Sequence, residues 1–175
     1  MEETARKVVN IYISGMCVAS PESAAGPGGW ASVLRYGSHR KELSGSMPKT
    51  TPLRMEIFAL ISALGQLKTP CNCNIFSSSG EIVRTLKTHS LERWEAAAWK
   101  ENDAAVENQD YWKLLSLVIR KKSHRLRAFP YPAADSAENS EKKLCEALER
   151  DEIRRFLSIN PDLGDADTFS VYQVE

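Results

Sequence analysis

The sequence has no surplus of charge of either sign: 23 Lys and Arg stand against 23 Asp and Glu, for a formal net charge of zero. A dedicated nucleic-acid binder draws most of its affinity from Lys and Arg that neutralise phosphates, and that signature is missing. Cysteine is scarce and unpatterned. Cys17, Cys71, Cys73 and Cys145 form no C-x-x-C pair and no zinc-like spacing, so the expectation is reduced, buried thiols. No run approaches the roughly 18 apolar residues of a membrane span, and the opening MEETARKVV lacks the apolar stretch of a secretory signal. The expected protein is soluble and cytoplasmic, with no membrane partner. Internal repeats, low-complexity blocks and linkers are lacking too, and 175 residues suit one domain. That domain is expected over 1–157, followed by an acidic tail over 158–175.

What is present is a hydrophobic fraction of 42%, enough for a real core. Residues 8–14 (VVNIYIS) alternate apolar and polar side chains and read as a strand. A loop of small residues follows, ending in GPGG. Residues 30–36 and 39–44 read as two further strands joined by a tight turn at Gly37-Ser38. Between 53 and 68 the period changes. Ile57, Leu60, Ile61, Leu64 and Leu67 form a wide apolar stripe, which predicts a helix buried against the sheet. A strand over 72–77, helices over 80–87, 91–99 and 108–121, a strand over 124–129 and a long helix over 140–157 complete the order. A meander continued by strand-helix-strand crossovers gives a mixed sheet with helices on both faces. The three histidines, His39, His89 and His124, read most simply as surface residues.

Four runs, in order along the chain, resemble the type 1 ribonuclease H family of bacteria: GPGGW continued by the hairpin ending KELSG, RMEI opening the long helix, ENQDYWKLL, and the C-terminal INPDLGDADTFSVYQVE. The resemblance implies an α/β ribonuclease H-like fold with a five-stranded mixed sheet in the order 3-2-1-4-5. It also implies hydrolysis of the RNA strand of an RNA–DNA hybrid by two divalent ions, Mg or Mn, about 3.5–4 Å apart, held by four carboxylates. Carried over residue by residue, the first carboxylate falls at Ser14 (in ISGM), the second survives as Glu56 (in RMEI), and the third falls at Ser78 (in FSSS). For the fourth, spacing from the tail's Asn-Pro selects Asp151, whereas matching the neighbouring cysteine selects Glu146; the tail count needs no gap and favours Asp151. Glu81, three residues past Ser78, would have to reach back across a turn to substitute.

Other implied contacts are altered as well. The family's two Asn before its R-M-E run are Pro52 and Leu53 here, and its Gln after the third Asp is Gly80. Its basic protrusion corresponds to residues 92–110, which hold six acids against Arg93 and Lys100; such a surface repels phosphate. Its mobile histidine has no counterpart in FPYPAADSAENS, and the first loop carries extra residues around Glu22 to Ala25. Candidate nucleic-acid contacts that remain are Thr51, Trp94 and Trp99, the tryptophans at a spacing more typical of packing. The reading is therefore a pseudoenzyme with a degenerate site, retained as an interaction module. No metal is expected, or, if any, one on Glu56 and Asp151. The expected partner is a protein meeting the acidic protrusion or the acidic tail (Asp162, Asp165, Asp167, Glu175). One alternative is a non-catalytic binder of hybrids or other nucleic acid through Arg120, Lys121, Lys122, Arg125 and Arg127, a run that also suits a solvated helix end. The other is residual metal-dependent nuclease activity.

Overall fold

The computed structural model describes residues 5–18, 24–163 and 171–173. Three long strands open it: β1 (Lys7–Val18), β2 (Gly26–Tyr36) and β3 (His39–Thr50). All three outrun the sequence expectation, because the glycine-rich stretch continues in register rather than looping out; Gly28 and Gly29 pair with Cys17 and Met16. Helix α1 (Pro52–Gln66) begins where Thr51 accepts a hydrogen bond from the Arg54 backbone N–H and proline occupies the first turn, a position where its missing N–H costs nothing. Then come β4 (Cys71–Ser77), α2 (Gly80–Lys87) and α3 (Ser90–Ala96). The helix expected over 91–99 stops early: Ala98 and Trp99 take left-handed conformations and lead into a small hairpin, β5 (Lys100–Glu101) with β6 (Ala104–Ala105). Helix α4 (Gln109–Lys122), β7 (Arg125–Pro130) and α5 (Ala137–Ile159) follow, and β8 (Val171–Gln173) ends the described chain.

The sheet runs β3-β2-β1-β4-β7, with β1–β2 and β2–β3 antiparallel and β1–β4 and β4–β7 parallel. This is the expected mixed order, the fifth long strand being β7 because the β5–β6 hairpin intervenes. The far end of β1 also pairs with β8, Met16 opposite Gln173 and Val18 opposite Val171, so part of the tail belongs to the sheet. Asp165, Asp167 and Glu175, like Glu22 of the first loop, lie outside the described residues.

Strand alternation sends side chains to opposite faces, and β1 uses both. Val9, Ile11 and Ile13 pack under α1 and α4 with Leu60, Leu64, Ile75 and Trp112. Tyr12 joins Ala31, Val33 and Cys145 beneath α5, and Met16 meets Ile153 and Leu157. His124 belongs to the interior rather than the surface: it is 5% exposed and its Nδ1 accepts the Cys71 backbone N–H at 3.1 Å. No described helix is long and apolar enough to cross a membrane.

Candidate active site

Strands β1 and β4 run parallel, so their C-terminal ends emerge side by side, and α1 passes close against them. Gly15 permits this approach: a β-carbon there would lie 2.5 Å from the Glu56 backbone nitrogen and 2.7 Å from the Pro52 carbonyl oxygen. Glu56, one turn into α1, is 1% exposed. Its Oε1 accepts a hydrogen bond from Ser77 Oγ at 2.5 Å and from the Ser78 backbone N–H at 3.3 Å. Burial pushes the Glu56 carboxyl up to about 8, opposed by the hydrogen bonds from the serine run and by the Lys142 charge. Ser79 turns away to cap α2, its Oγ accepting from the Ile82 N–H. Ser78 Oγ is buried with no hydrogen-bond partner among the described residues.

On the other face of β1, Ser14 Oγ donates to Glu149 Oε1 at 2.9 Å, and Glu149 is 0% exposed. Here the structure departs from the sequence mapping. Asp151, the favoured fourth carboxylate, lies on the exposed side of α5. Glu146, the other candidate, pairs with Lys142 one turn away at 3.7 Å. Successive helical residues are about 100° apart, so Asp151 points nearly opposite Glu149. The overlooked signal was in the periodicity of α5 itself. Its buried residues Glu141, Cys145, Glu149, Ile153 and Leu157 recur every fourth position, which puts Glu149 on the sheet-facing line. Tail spacing and the neighbouring cysteine took no account of that line.

Tyr131 joins the two halves of the site. Its hydroxyl donates to the Ile13 carbonyl oxygen at 3.0 Å. Burial raises its pKa well above the usual value, assisted by the nearby Cys145, Glu56 and Glu149. Lys142 sits 5.8 Å over the same ring. The structure thus gathers Ser14, Glu56, Ser77, Ser78 and Glu149 at the ends of β1 and β4. Ser77, Glu149, Tyr131 and Lys142 were absent from the sequence-derived set.

The expected nucleic-acid contacts are each engaged within the fold. Thr51 is engaged as the cap of α1. Trp94 is 8% exposed and packs on Trp112 and Trp99 at 5.8 and 6.3 Å, with its Nε1 donating to Glu101; it has no open ring face for a base. Trp99, half-buried, carries Lys113 over its ring. Two acids of the protrusion form ion pairs at the surface, Glu95 with Arg120 at 2.6 Å and Asp110 with Arg54 at 2.7 Å.

A mixed five-stranded sheet in this order, helices on both faces, with buried carboxylates gathered where the central parallel strands end, defines the ribonuclease H class of fold. The RNase H family model matches residues 6–141, and the chain belongs to the RNase H family. A ribonuclease H of Thermoanaerobacter sp. is 39% identical over 155 residues, covering 88% of this chain and 95% of its own. One of Symbiobacterium thermophilum is 42% identical over 147 residues, covering 83% and 93%. Among solved structures, LC9-RNase H1, described as a type 1 RNase H with the type 2 active-site motif, superposes with a TM-score of 0.67 at 18% identity, covering 97% of this chain and 79% of its own. LC11-RNase H1, solved in complex with an RNA/DNA hybrid, gives 0.63 at 18% identity, covering 85% and 99%.

Proposed function

We propose that this chain is an RNase H family member whose metal-dependent cleavage of RNA–DNA hybrids is impaired and whose fold serves as an interaction module. The observation that carries this reading is the pairing of each carboxylate buried at the strand ends with a serine: Ser77 donates to Glu56 and Ser14 to Glu149. Two carboxylates supply at most two negative charges, whereas a pair of divalent ions brings four positive ones. Hydroxyls at 14 and 78 are neutral and supply weak ligands where hard cations favour carboxylate oxygen. Among the described residues no group of three or more His, Cys, Asp or Glu is arranged to hold a metal. This donor set does not fit two Mg or Mn ions.

The protrusion supports the same reading from the substrate side. Its formal charge is acidic, and Arg93, its one arginine, donates to Ser90 within its own helix. Glu95, Glu101 and Asp110 have partners within the chain, whereas Asp103 and Glu107 are exposed and keep the protrusion acidic.

The test is incubation with a labelled RNA–DNA hybrid across a Mg²⁺ and Mn²⁺ titration, beside Ser14→Asp/Ser78→Asp and Glu56→Gln variants. The native chain is expected to leave the hybrid intact, and cleavage by the double aspartate variant would identify the two serines as the main lesion. Cleavage by the native chain that Glu56→Gln abolishes overturns the proposal.

A further inference from the structure

The face of the sheet that carries α5 is covered only in part. Three rungs cross β1, β4 and β7 on this face: Val8–Asn72–Arg125, Asn10–Asn74–Arg127 and Tyr12–Phe76–Phe129. The third rung is aromatic throughout, with Phe76 stacked between Tyr12 at 5.1 Å and Phe129 at 5.5 Å. Tyr131 and α5 cover its Tyr12 end, while Phe129 at the sheet edge stays 37% exposed. The first two rungs are open, and around them lies a cavity of about 360 Å³ lined by Val8, Asn72, Asn74, Arg125 and Arg127 among others.

The side chains on these rungs are unusual for a strand. Asn is disfavoured in strands, yet three occupy neighbouring positions. Asn74 Nδ2 donates to Asn10 Oδ1 at 3.0 Å, the Asn10 side chain also hydrogen-bonds the Tyr12 hydroxyl, and Asn72 makes no side-chain hydrogen bond among the described residues. Arg125 and Arg127 are exposed and form no ion pair or side-chain hydrogen bond there. Two acids of α5 act on Tyr12, Glu138 and Glu141, and Glu141 is already shared between Arg35 and Arg40 at 3.1 and 2.9 Å. Elsewhere in the basic run Arg120 is bound to Glu95, and Lys122 donates to the carbonyls ending α1. Among the described residues the β7 pair, with Lys121 at the end of α4, is left to meet an external anion, and only the β7 pair lines the open face.

We infer that this open sheet face is a binding platform for single-stranded nucleic acid, separate from the carboxylate site. Alternate residues of a strand lie about 6.6 Å apart, comparable to the phosphate repeat of an extended strand, so Arg125 and Arg127 can take successive phosphates. Amides between them can meet base edges or a ribose 2′-hydroxyl. Phe129 offers a π-face at the end of the row, and stacking on it requires an unpaired base. Duplexes, whose bases are stacked inside, cannot use that ring.

The test is fluorescence anisotropy of labelled oligo-uridine, oligo-thymidine and an RNA–DNA hybrid with the full chain. EDTA is present throughout, which separates binding from any cleavage. Both single strands are expected to bind at low salt, the hybrid more weakly, with the uridine arm tighter if the amides read the 2′-hydroxyl. Arg125→Gln/Arg127→Gln should weaken binding about ten-fold or more. It should also lower the magnitude of the log K against log salt slope by about 1.4, the value for two phosphate contacts on a single strand. Phe129→Ala should weaken single-strand binding several-fold and leave the salt slope unchanged. All three residues are exposed, and an unchanged thermal melt verifies folding. No binding by the native chain at low salt, equal binding by the double arginine variant, or a preference for the hybrid each overturns the inference.

Discussion

His124 shows most directly how one residue's chemistry is set by its surroundings. Its Nδ1 accepts the Cys71 N–H, which requires the neutral ring with its proton on Nε2. Burial, the first cause, and the Lys122 and Arg6 charges lower its pKa below the ordinary 6.5. The unfolded chain therefore takes up this proton at a higher pH than the folded one, so stability rises with pH across that window. The contribution is complete above about pH 6.5 and is lost as pH falls through the lower folded value. Urea unfolding of native chain and His124→Gln between pH 7.5 and 5 should show the native curve falling more steeply. Parallel curves would mean that the ring is not held neutral. Glu56 also depends on context. The Ser77 and Ser78 hydrogen bonds oppose the effect of its burial.

At the scale of elements, the site depends on how closely two helices approach the sheet. A β-carbon on Gly29 would lie 2.5 Å from the Glu149 carbonyl oxygen and 3.0 Å from an Ile153 side-chain carbon. Gly29→Ala should push α5 off β2 and lower stability by about 1–3 kcal/mol, the usual range for overpacking, measured as a drop in urea midpoint at constant slope. The facing of α5 yields a sharper test. If cleavage is regained in the Ser14→Asp/Ser78→Asp background, Glu149→Gln should remove it by 100-fold or more, about 2.7 kcal/mol, while Asp151→Asn should change it less than two-fold. The reverse result would restore Asp151 to the site and displace Glu149.

For the molecule as a whole, the chain's two ends close one sheet. β8 pairs antiparallel with Met16–Val18, extending the row that β4 begins on the same side of β1. A chain ending at Leu163 should lose about 1–3 kcal/mol, a few backbone hydrogen bonds at roughly 0.5–1.5 kcal/mol each. It should keep its helix content by circular dichroism. An unchanged melting temperature would show that the tail pairing adds nothing to the fold. The molecule also presents two chemically different surfaces, a closed carboxylate–serine cluster at the strand ends and an open amide–arginine face at the β7 edge. Variants on one are expected to be silent on the other.

The element order, the mixed sheet and the three-strand meander were legible because they rest on local properties. Alternation in VVNIYIS, the apolar stripe of residues 53–68 and the turn at Gly37-Ser38 each act within a few residues. Ser14, Glu56 and Ser78 could be mapped because short motifs fix them to strand and helix ends. The strand ends and the break after Ala96 could not be read so well, since they depend on partners such as Gly45 opposite Trp30 and on left-handed residues that no period announces. The fourth carboxylate was a question of helix rotation. Sequence spacing offered Asp151 and the neighbouring cysteine Glu146, but the docking of Cys145, Ile153 and Leu157 against the sheet turns Glu149 inward instead. Burial decided the rest: the same contacts took His124 and Trp94 into the interior and left Arg125 and Arg127 outside.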